Sequence, residues 1–230
     1  MTISHAARAV AIGSAGLLTL AFVSTFVALG AGSTSLCGTS ITENLKLKED
    51  LVCSGNGIRV GADGITIDLN GHRIIGPGTA LPTVGIVIGG HSHVKIVGPG
   101  TVTKFRTGIL IASSDHVKVE KLKIVENGRL VPSFASSDGI RVWSSTNVKI
   151  EDAKIERNGN DGVELMSSTG VEIEESKIRE NGAGIHFVGS TGNSVEENKI
   201  TRNTCGVKGP TDGNAFEDNK FKDNIADSCA

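Results

Sequence analysis

Five residues in the second half of the sequence have side chains suited to carbohydrate chemistry. Arg141, Glu164, His186 and Lys208 each lie two residues after a glycine in a recurring segment, and Trp143 follows Arg141 by two residues. An acid and a base close together can transfer protons, and an indole ring can stack on a sugar ring. We therefore treat the four polar residues as candidate catalytic residues and Trp143 as a candidate substrate-binding residue. The alternative is a row of cross-strand ion pairs that only stabilises the fold.

Three histidines form a second candidate site. His91 and His93 precede a short strand that starts at Val94, and His116 holds the equivalent place before Val117. If the repeats stack, His116 lies beside His93. Imidazoles held close together can bind copper or zinc, so His91, His93 and His116 are candidate ligands of a divalent metal ion. The alternative is that these turn residues are polar for solvation alone.

The segment that contains these residues is a glycine followed by a short alternating strand. Its seven copies begin at Gly57, Gly85, Gly108, Gly139, Gly162, Gly184 and Gly206. The intervals range from 22 residues, between Gly184 and Gly206, to 31 residues, between Gly108 and Gly139. A second short strand and then a third inward position follow in each repeat. Three such strands per repeat suit a coil whose successive turns pair in parallel.

Stacking the repeats aligns residues of one type in columns. An aliphatic column inside the first sheet would contain Ile58, Ile86, Ile109, Ile140, Val163, Ile185 and Val207. An asparagine column after the third strand contains Asn127, Asn158, Asn181, Asn203 and Asn224, and a serine column contains Ser114, Ser145, Ser168 and Ser190. Stacked asparagine amides can hydrogen-bond to the coils on both sides. We therefore predict an all-β solenoid of about seven coils, one per glycine segment, with three short strands per coil.

Two charged columns accompany the repeat. The glutamates are Glu120, Glu151, Glu174, Glu196 and Glu217, and the lysines three residues later are Lys123, Lys154, Lys177, Lys199 and Lys220. Like charges on neighbouring coils repel by roughly 1 kcal/mol even in water, and we expect the lysines to offset the glutamates. Charged columns also discourage aggregation between sheets. We interpret both columns as structural.

The first 30 residues have the composition of an export signal. Arg8 is the one charged residue before a run of small and apolar residues from Ala9 to Gly32. Small residues near Ala31 suit signal peptidase, and the run is also long enough to remain as a membrane anchor. We predict a signal peptide at residues 1–30, with an N-terminal anchor as the alternative, and a solenoid domain at residues 37–230. The protein would then be secreted or periplasmic, and would contact a membrane only if the signal stays uncleaved.

Four cysteines lie at the two ends of the predicted solenoid. Cys37 and Cys53 are near its start, and Cys205 and Cys229 are near its end. Four cysteines allow three pairings, and proximity along a coil favours Cys37 with Cys53 and Cys205 with Cys229. Each bridge would stabilise the fold by roughly 3 kcal/mol and would agree with an oxidising compartment. The alternative is that the thiols are unpaired and buried.

Composition excludes one class of partner. The formal net charge is −2, whereas a nucleic-acid-binding protein needs a basic face. The sequence has 30 glycines, no tyrosine and 3% aromatic residues, which indicates short strands and tight turns in place of a core filled by large rings. We expect a monomer with no nucleic-acid partner.

The Gly-Ile-x-Val strands, the turn asparagines and the stretch Asp68-Leu69-Asn70-Gly71-His72 resemble right-handed parallel β-helix repeat proteins. That family is related to the pectate lyases and to periplasmic NosD-type accessory proteins, and the resemblance covers about residues 37–230. It implies a single-stranded, right-handed parallel β-helix. In the related lyases the outer face of the first sheet forms the active site with calcium ligands, but here the calcium cluster is missing. The NosD-like resemblance implies copper binding, which fits the histidine site.

Two functional hypotheses follow. The first is an exported module that binds an acidic polysaccharide on its first sheet, with lyase or epimerase activity as its enzymatic version. In a lytic reaction His186 or Lys208 would be the base, and Arg141 would neutralise the uronate carboxylate. The second is a non-catalytic secreted or periplasmic scaffold that binds copper or zinc through the three histidines.

Overall fold

The computed structural model describes residues 36–78, 81–129 and 137–230. These residues form 23 strands and no helix, and so they include no helix long and apolar enough to cross a membrane. Each strand pairs in parallel with the strand one turn later. The chain is thus a parallel solenoid of about eight turns, and the predicted fold class is confirmed. The predicted signal or anchor at residues 1–30 lies outside the described residues.

The first sheet contains nine parallel strands, one from each pass of the chain. In spatial order they are β1 (Ser40–Ile41), β4 (Ile58–Val60), β7 (Val84–Gly89), β9 (Thr107–Ala112), β11 (Ile140–Trp143), β14 (Val163–Met166), β17 (Ala183–Val188), β20 (Cys205–Lys208) and β23 (Ala226–Cys229). The predicted inward column is confirmed, since Ile109, Ile140 and Val163 pair in register and are fully buried. Successive side chains of a strand point to opposite faces. The residues that follow this column therefore face outward.

The remaining strands form two rows on the other faces of the coil. The second row contains β2 (Leu45–Lys46), β5 (Thr66–Asp68), β8 (Lys95–Thr103), β10 (Asp115–Val125), β12 (Thr146–Glu151), β15 (Glu172–Glu174), β18 (Ser194–Glu196) and β21 (Ala215–Glu217). The third row contains β3 (Leu51–Val52), β6 (Arg73–Ile75), the second halves of β8 and β10, β13 (Lys154–Glu156), β16 (Lys177–Arg179), β19 (Lys199–Thr201) and β22 (Lys220–Lys222). Because β8 and β10 run through the corner, the two rows join in one 14-stranded sheet.

Side-chain ladders connect the coils at the corners. The Asn158 amide nitrogen donates to Asn181 Oδ1 at 3.1 Å and to the carbonyl of Ile124 at 3.2 Å, and Asn181 repeats the bond toward Asn203. These asparagines are almost fully buried, so the ladder satisfies polar groups that water cannot reach. The predicted serine column is confirmed by backbone amides that donate to the hydroxyl of the next coil, along Ser114, Ser145, Ser168 and Ser190.

Both ends of the solenoid have a disulfide, and each end has one more first-sheet strand than predicted. Cys37 is bonded to Cys53 and Cys205 to Cys229, which confirms the predicted pairing. The additional strands are β1 and β23. Before β1, Gly38 is in register with Gly57, but Thr39 replaces the aliphatic residue that follows the glycine in the other repeats; in β23, Asp227 takes the place of the glycine. Counting the glycine segments therefore gave about seven coils when the structure has about eight.

The charged columns have the predicted register, but the glutamates form their ion pairs with other lysines. Lys118 lies 2.7 Å from both Glu120 and Glu151, and Lys149 lies 2.7 Å from Glu174. These lysines are on the same row as the glutamates, two residues before a glutamate on the same face of the strand. The hydrogen bonds that these lysines donate to the glutamates raise the pKa of both lysines. The lysines of the column from Lys123 to Lys220 form no ion pair with these glutamates in the described residues, and the expected offset of the glutamate charge stays a prediction.

Candidate functional site

The outer face of the first sheet brings the four polar candidates into one row. Arg141 pairs in register with Glu164, Glu164 with His186, and His186 with Lys208. Neighbouring strands of a sheet lie about 4.8 Å apart, so the four side chains are consecutive neighbours along the coil axis. This set, the polar row, has the geometry that the repeat predicts.

Arg141 is held between two buried carboxylates. Its Nη2 lies 2.8 Å from Asp138 Oδ2, and its Nε lies 2.5 Å from Glu164 Oε2. The side chains of Asp138 and Glu164 are 0% and 7% exposed, and buried carboxylates need a partner of opposite charge. Arg141 provides that partner to both. The role expected for Arg141, neutralising a uronate carboxylate, therefore conflicts with its contacts.

His186 is oriented by a third buried carboxylate. Its Nδ1 lies 2.7 Å from Asp161 Oδ2 and 3.7 Å from Glu164 Oε1. The Asp161 side chain is nearly fully buried, whereas His186 keeps 17% of its side-chain surface exposed. When a carboxylate fixes Nδ1 of an imidazole, Nε2 is the atom that can exchange a proton with a bound molecule. The Asp161–His186 pair is thus arranged for acid–base chemistry at Nε2.

The centre of the polar row has an unusual charge balance. Burial raises the pKa of Asp138 from 3.8 to about 6, and the negative charges of Glu164 and Asp161 add to the increase while Arg141 opposes it. Above pH 6, where Asp138 is also ionised, the carboxylates of Asp138, Asp161 and Glu164 surround one arginine, Arg141. We infer that the centre favours hydroxyl groups over an anionic group.

A cluster at this centre could hold a metal ion. Ligand atoms of Asp161, Glu164 and His186 lie within 4.8 Å of one another, the one such group of three in the described ranges. Two carboxylates and an imidazole are donors that divalent ions accept. The guanidinium of Arg141, however, already forms an ion pair with the Glu164 carboxylate. Its positive charge opposes the binding of a cation by this carboxylate.

An apolar row runs beside the polar row. Trp143 pairs in register with Ala112 on one side and Met166 on the other, and Met166 pairs with Val188. The Trp143 side chain is exposed, with 51% of the residue surface accessible. An exposed indole with apolar neighbours offers a surface on which a sugar ring can stack. We call Ala112, Trp143, Met166 and Val188 the apolar row.

Lys208 ends the polar row at its C-terminal side. Its side chain is partly exposed, and it forms no ion pair with any residue that the structure describes. Lys208 is therefore the cation of the row that remains available to an anionic ligand. The repeat is also interrupted by two insertions, Pro77 to Val84 and Gly128 to Ser137, in the turn that enters the first sheet. They would wall one side of this face, but they fall partly outside the described residues, which omit 79–80 and 130–136.

The histidine site is assembled only in part. The rings of His93 and His116 stack at 4.9 Å with an angle of 6° between their planes, so the predicted neighbours are brought together. His91 instead places Nδ1 2.9 Å from Asp63, and His116 places Nδ1 2.6 Å from Asp115.

This arrangement does not fit one ion bound by all three histidines. A metal lies in the plane of each imidazole that binds it, because the nitrogen lone pair lies in that plane. The parallel stacked rings of His93 and His116 do not share such a position. The carboxylate contacts at Nδ1 of His91 and His116 leave Nε2 of each ring as the nitrogen for a metal. Copper or zinc binding through His91, His93 and His116 stays a prediction that requires the rings to rotate. Its test is metal that is retained after dialysis and lost in His93→Ala.

A cleft of about 800 Å³ lies away from both candidate sites. It opens at the turn between the third row and the first sheet, and its lining includes Val52, Ile75, Lys104, Phe105 and Arg129. None of the candidate residues predicted from the sequence for catalysis, sugar binding or metal binding lines it. The polar row therefore lies outside this cleft.

Sequence reasoning missed Asp138 and Asp161, which organise the polar row. Both directly precede the glycine of a repeat, in Ser137-Asp138-Gly139 and Asn160-Asp161-Gly162. Only residues after the glycine were assigned to the outer face. The recurrence of Asp-Gly in two successive repeats that also contain Arg141 and Glu164 is the signal that could have revealed them.

Comparisons with known proteins agree on the fold. A family model described as a right-handed beta helix region matches residues 107–230, and no curated protein has a matching sequence. The A-module of mannuronan C-5 epimerase AlgE6 from Azotobacter vinelandii is similar in structure with a TM-score of 0.53 and 21% identity, over 84% of this chain and 56% of that one. A putative glycosyl hydrolase from Parabacteroides merdae has a TM-score of 0.54 and 10% identity, over 78% of this chain and 81% of that one.

At these identities the structural similarity establishes the fold alone, and this chain spans little more than half of the epimerase module. The family model, in contrast, matches more than half of this chain. It agrees with the parallel register of the strands and with the asparagine ladder. The chain belongs to the family of right-handed β-helix proteins.

Proposed function

We propose that this protein is an exported module that binds an acidic polysaccharide along the outer face of its first sheet. The observation that supports the proposal most directly is that an apolar row around Trp143 runs beside the polar row from Arg141 to Lys208. A sugar chain presents apolar ring faces and polar edges. The apolar row can contact the ring faces of such a chain, and the polar row beside it can bind the polar edges.

The charges of the face suggest how an acidic sugar would lie on it. Because the centre of the polar row has excess negative charge, hydroxyl groups of the ligand would face His186 and Glu164. A uronate carboxylate would lie near Lys208, where no described carboxylate competes for the ammonium group. The ligand is thus expected to have its carboxylate toward the C-terminal end of the row.

An enzymatic version of this proposal uses His186 as the base. Elimination and epimerisation of a uronate both begin with removal of the proton beside its carboxylate. Nε2 of His186 is the atom that would accept that proton, while Asp161 keeps the ring oriented through Nδ1. Lys208 takes the neutralising role expected of Arg141, because Arg141 is already engaged by Asp138 and Glu164.

Export is supported by the disulfides and by the composition of the N-terminal residues. Cys37–Cys53 and Cys205–Cys229 are both formed, and structural disulfides are typical of oxidising compartments. Residues 1–30 have the apolar composition of a signal peptide. We propose a secreted or periplasmic location on these grounds.

The test is calorimetric binding of polygalacturonate, alginate and neutral dextran to the wild type and to Trp143→Ala, at about 200 mM salt, where purely electrostatic binding to other faces of the protein is weak. We expect one of the two acidic polymers to bind the wild type, and the variant to bind it at least about tenfold more weakly, which is about 1.4 kcal/mol. Val52→Ala is the matched control, because Val52 is also an exposed apolar side chain but lies in β3, on another face. It should bind like the wild type.

Two outcomes would contradict the proposal. One is that none of the polymers binds to the wild type, and the other is that Trp143→Ala binds as well as Val52→Ala. The enzymatic version is tested separately with the polymer that binds, by following unsaturated products by absorbance and epimerised sugars by NMR. His186→Gln should abolish either product while binding is retained.

A further inference from the structure

A column of exposed lysines lies on the outer face of the third row, on a different side of the coil from the polar row. The five residues pair in register on successive strands and are all exposed: Lys123, Lys154, Lys177, Lys199 and Lys220. At a strand separation of about 4.8 Å, they form a line of ammonium groups about 19 Å long. We call this set the lysine column.

The charge of the lysine column is not balanced by ion pairs within the protein. The glutamates of the second row are paired instead with Lys118 and Lys149. Glu156, the carboxylate beside the column on β13, accepts two hydrogen bonds from Arg179 at 2.8 and 3.0 Å. None of the five lysines forms an ion pair with a residue in the described parts of the chain.

Exposed carboxylates lie two residues before four of the column lysines and offset part of their charge: Asp152, Glu175, Glu197 and Asp218. The five ammonium groups remain like charges in one line and still repel one another. Neighbouring unit charges at this separation repel by roughly 1 kcal/mol in water. A single small anion would relieve one contact, whereas a polymer with regularly spaced charges would relieve all of them and release the counterions of both partners. The periodicity of the column therefore matches a linear polyanion that runs parallel to the coil axis.

We infer that the lysine column is a second binding surface and that its ligand is a linear acidic polysaccharide with one carboxylate per sugar. Lysine ammonium groups act as point charges without the planar fork of arginine, which suits a row of single carboxylates. Bases of single-stranded nucleic acid require aromatic platforms, and the exposed tryptophan lies on the first sheet, away from this face. This inference does not depend on the first-sheet proposal, because the two surfaces share no residue.

The experiment compares three forms of the full chain. The column variant is Lys154→Gln, Lys177→Gln and Lys199→Gln together. The matched control is Lys48→Gln, Lys95→Gln and Lys104→Gln together, which removes the same charge from three exposed lysines outside the column. Binding of long polygalacturonate is measured by co-sedimentation at about 20 mM and about 200 mM salt.

We expect the wild type and the control to bind at low salt, and at least about tenfold more weakly at high salt because the contact is electrostatic. The column variant should lose at least about tenfold in affinity at low salt, and Trp143→Ala should retain the salt-sensitive binding. Loss of binding in Trp143→Ala alone would locate the ligand on the first sheet and overturn this inference. So would equal affinity of the column variant and the control. Tighter column-dependent binding of poly-dT than of polygalacturonate would show that the ligand is a nucleic acid and would also overturn it.

Discussion

Single residues determine the chemistry of the first-sheet face. The spacing of the glycines predicts which residues face outward, and the polar row from Arg141 to Lys208 has that arrangement. The spacing does not predict which charges meet, because Asp138 and Asp161 reach the row from the preceding turn and not from the strand. With both aspartates in place, Arg141 becomes part of a buried ion cluster and Lys208 becomes the available cation.

The raised pKa of Asp138 gives a pH-dependent stability that can be measured. The folded state holds the proton more tightly than the unfolded state, since the pKa is about 6 in the fold against 3.8 ordinarily. Stability from this group is therefore fully present below pH 4 and is lost as the pH rises through 6. Between pH 4.5 and pH 8 the wild type should lose about 2 kcal/mol relative to Asp138→Asn, which does not titrate.

Urea denaturation of both proteins at the two pH values measures this difference directly. Asparagine can keep the hydrogen bonds that Asp138 Oδ1 accepts from Asn160 and from the Asp161 amide, so the variant should fold. A difference in unfolding free energy that is the same at both pH values would show that the pKa of Asp138 is not raised.

Individual strands of this protein are too short to be stable by themselves. Many contain only two to four residues, such as β3 and β16, so each coil depends on the coils above and below. The asparagine ladder provides directional bonds at every step, and it could be predicted because asparagine recurs at one position of the repeat. A ladder at another corner, where Asn198 donates to the carbonyl of Ile173 and to Asn219, was not predicted because serine replaces asparagine there at Ser176.

Removing one step of the main ladder should destabilise the whole coil. In Asn181→Ala, the amide groups of Asn158 lose their acceptor and remain buried. An unsatisfied buried polar group costs about 1–3 kcal/mol, so we expect a loss of about 3 kcal/mol in unfolding free energy. Asn224→Ala is the matched control at the last coil, where partial exposure lets water replace the amide, and it should cost about 1 kcal/mol.

Chemical denaturation of the two variants gives both values. Equal losses at Asn181 and Asn224 would contradict the account, because the cost is attributed to burial between two coils and not to the amide itself.

At the scale of the whole molecule, periodicity made most of the fold predictable. Every coil repeats the same inward and outward positions. If one residue departs from the pattern, the residues at the same position in the neighbouring coils still show whether that position faces inward or outward. The terminal strands β1 and β23 were not predicted because their sequences depart from the glycine segment: Thr39 follows Gly38 before β1, and Asp227 replaces the glycine in β23. The ion pairs of Lys118 and Lys149 were not predicted for another reason. The partner of a charged side chain depends on how far that side chain extends, and the repeat gives only the position of its backbone.

The central claim is that an acidic polysaccharide binds on the first sheet. It can be measured directly because the two proposed binding surfaces lie on different faces of the coil. Trp143 is the one tryptophan of the sequence, and it lies in the apolar row of the first sheet, so its fluorescence reports on that face alone. We predict that an oligogalacturonate or oligoalginate causes a saturable change in tryptophan emission, that neutral oligosaccharides do not, and that the lysine-column variant behaves like the wild type. If calorimetry detects binding of the acidic oligosaccharide while the emission of Trp143 stays constant, the first sheet is not the binding surface.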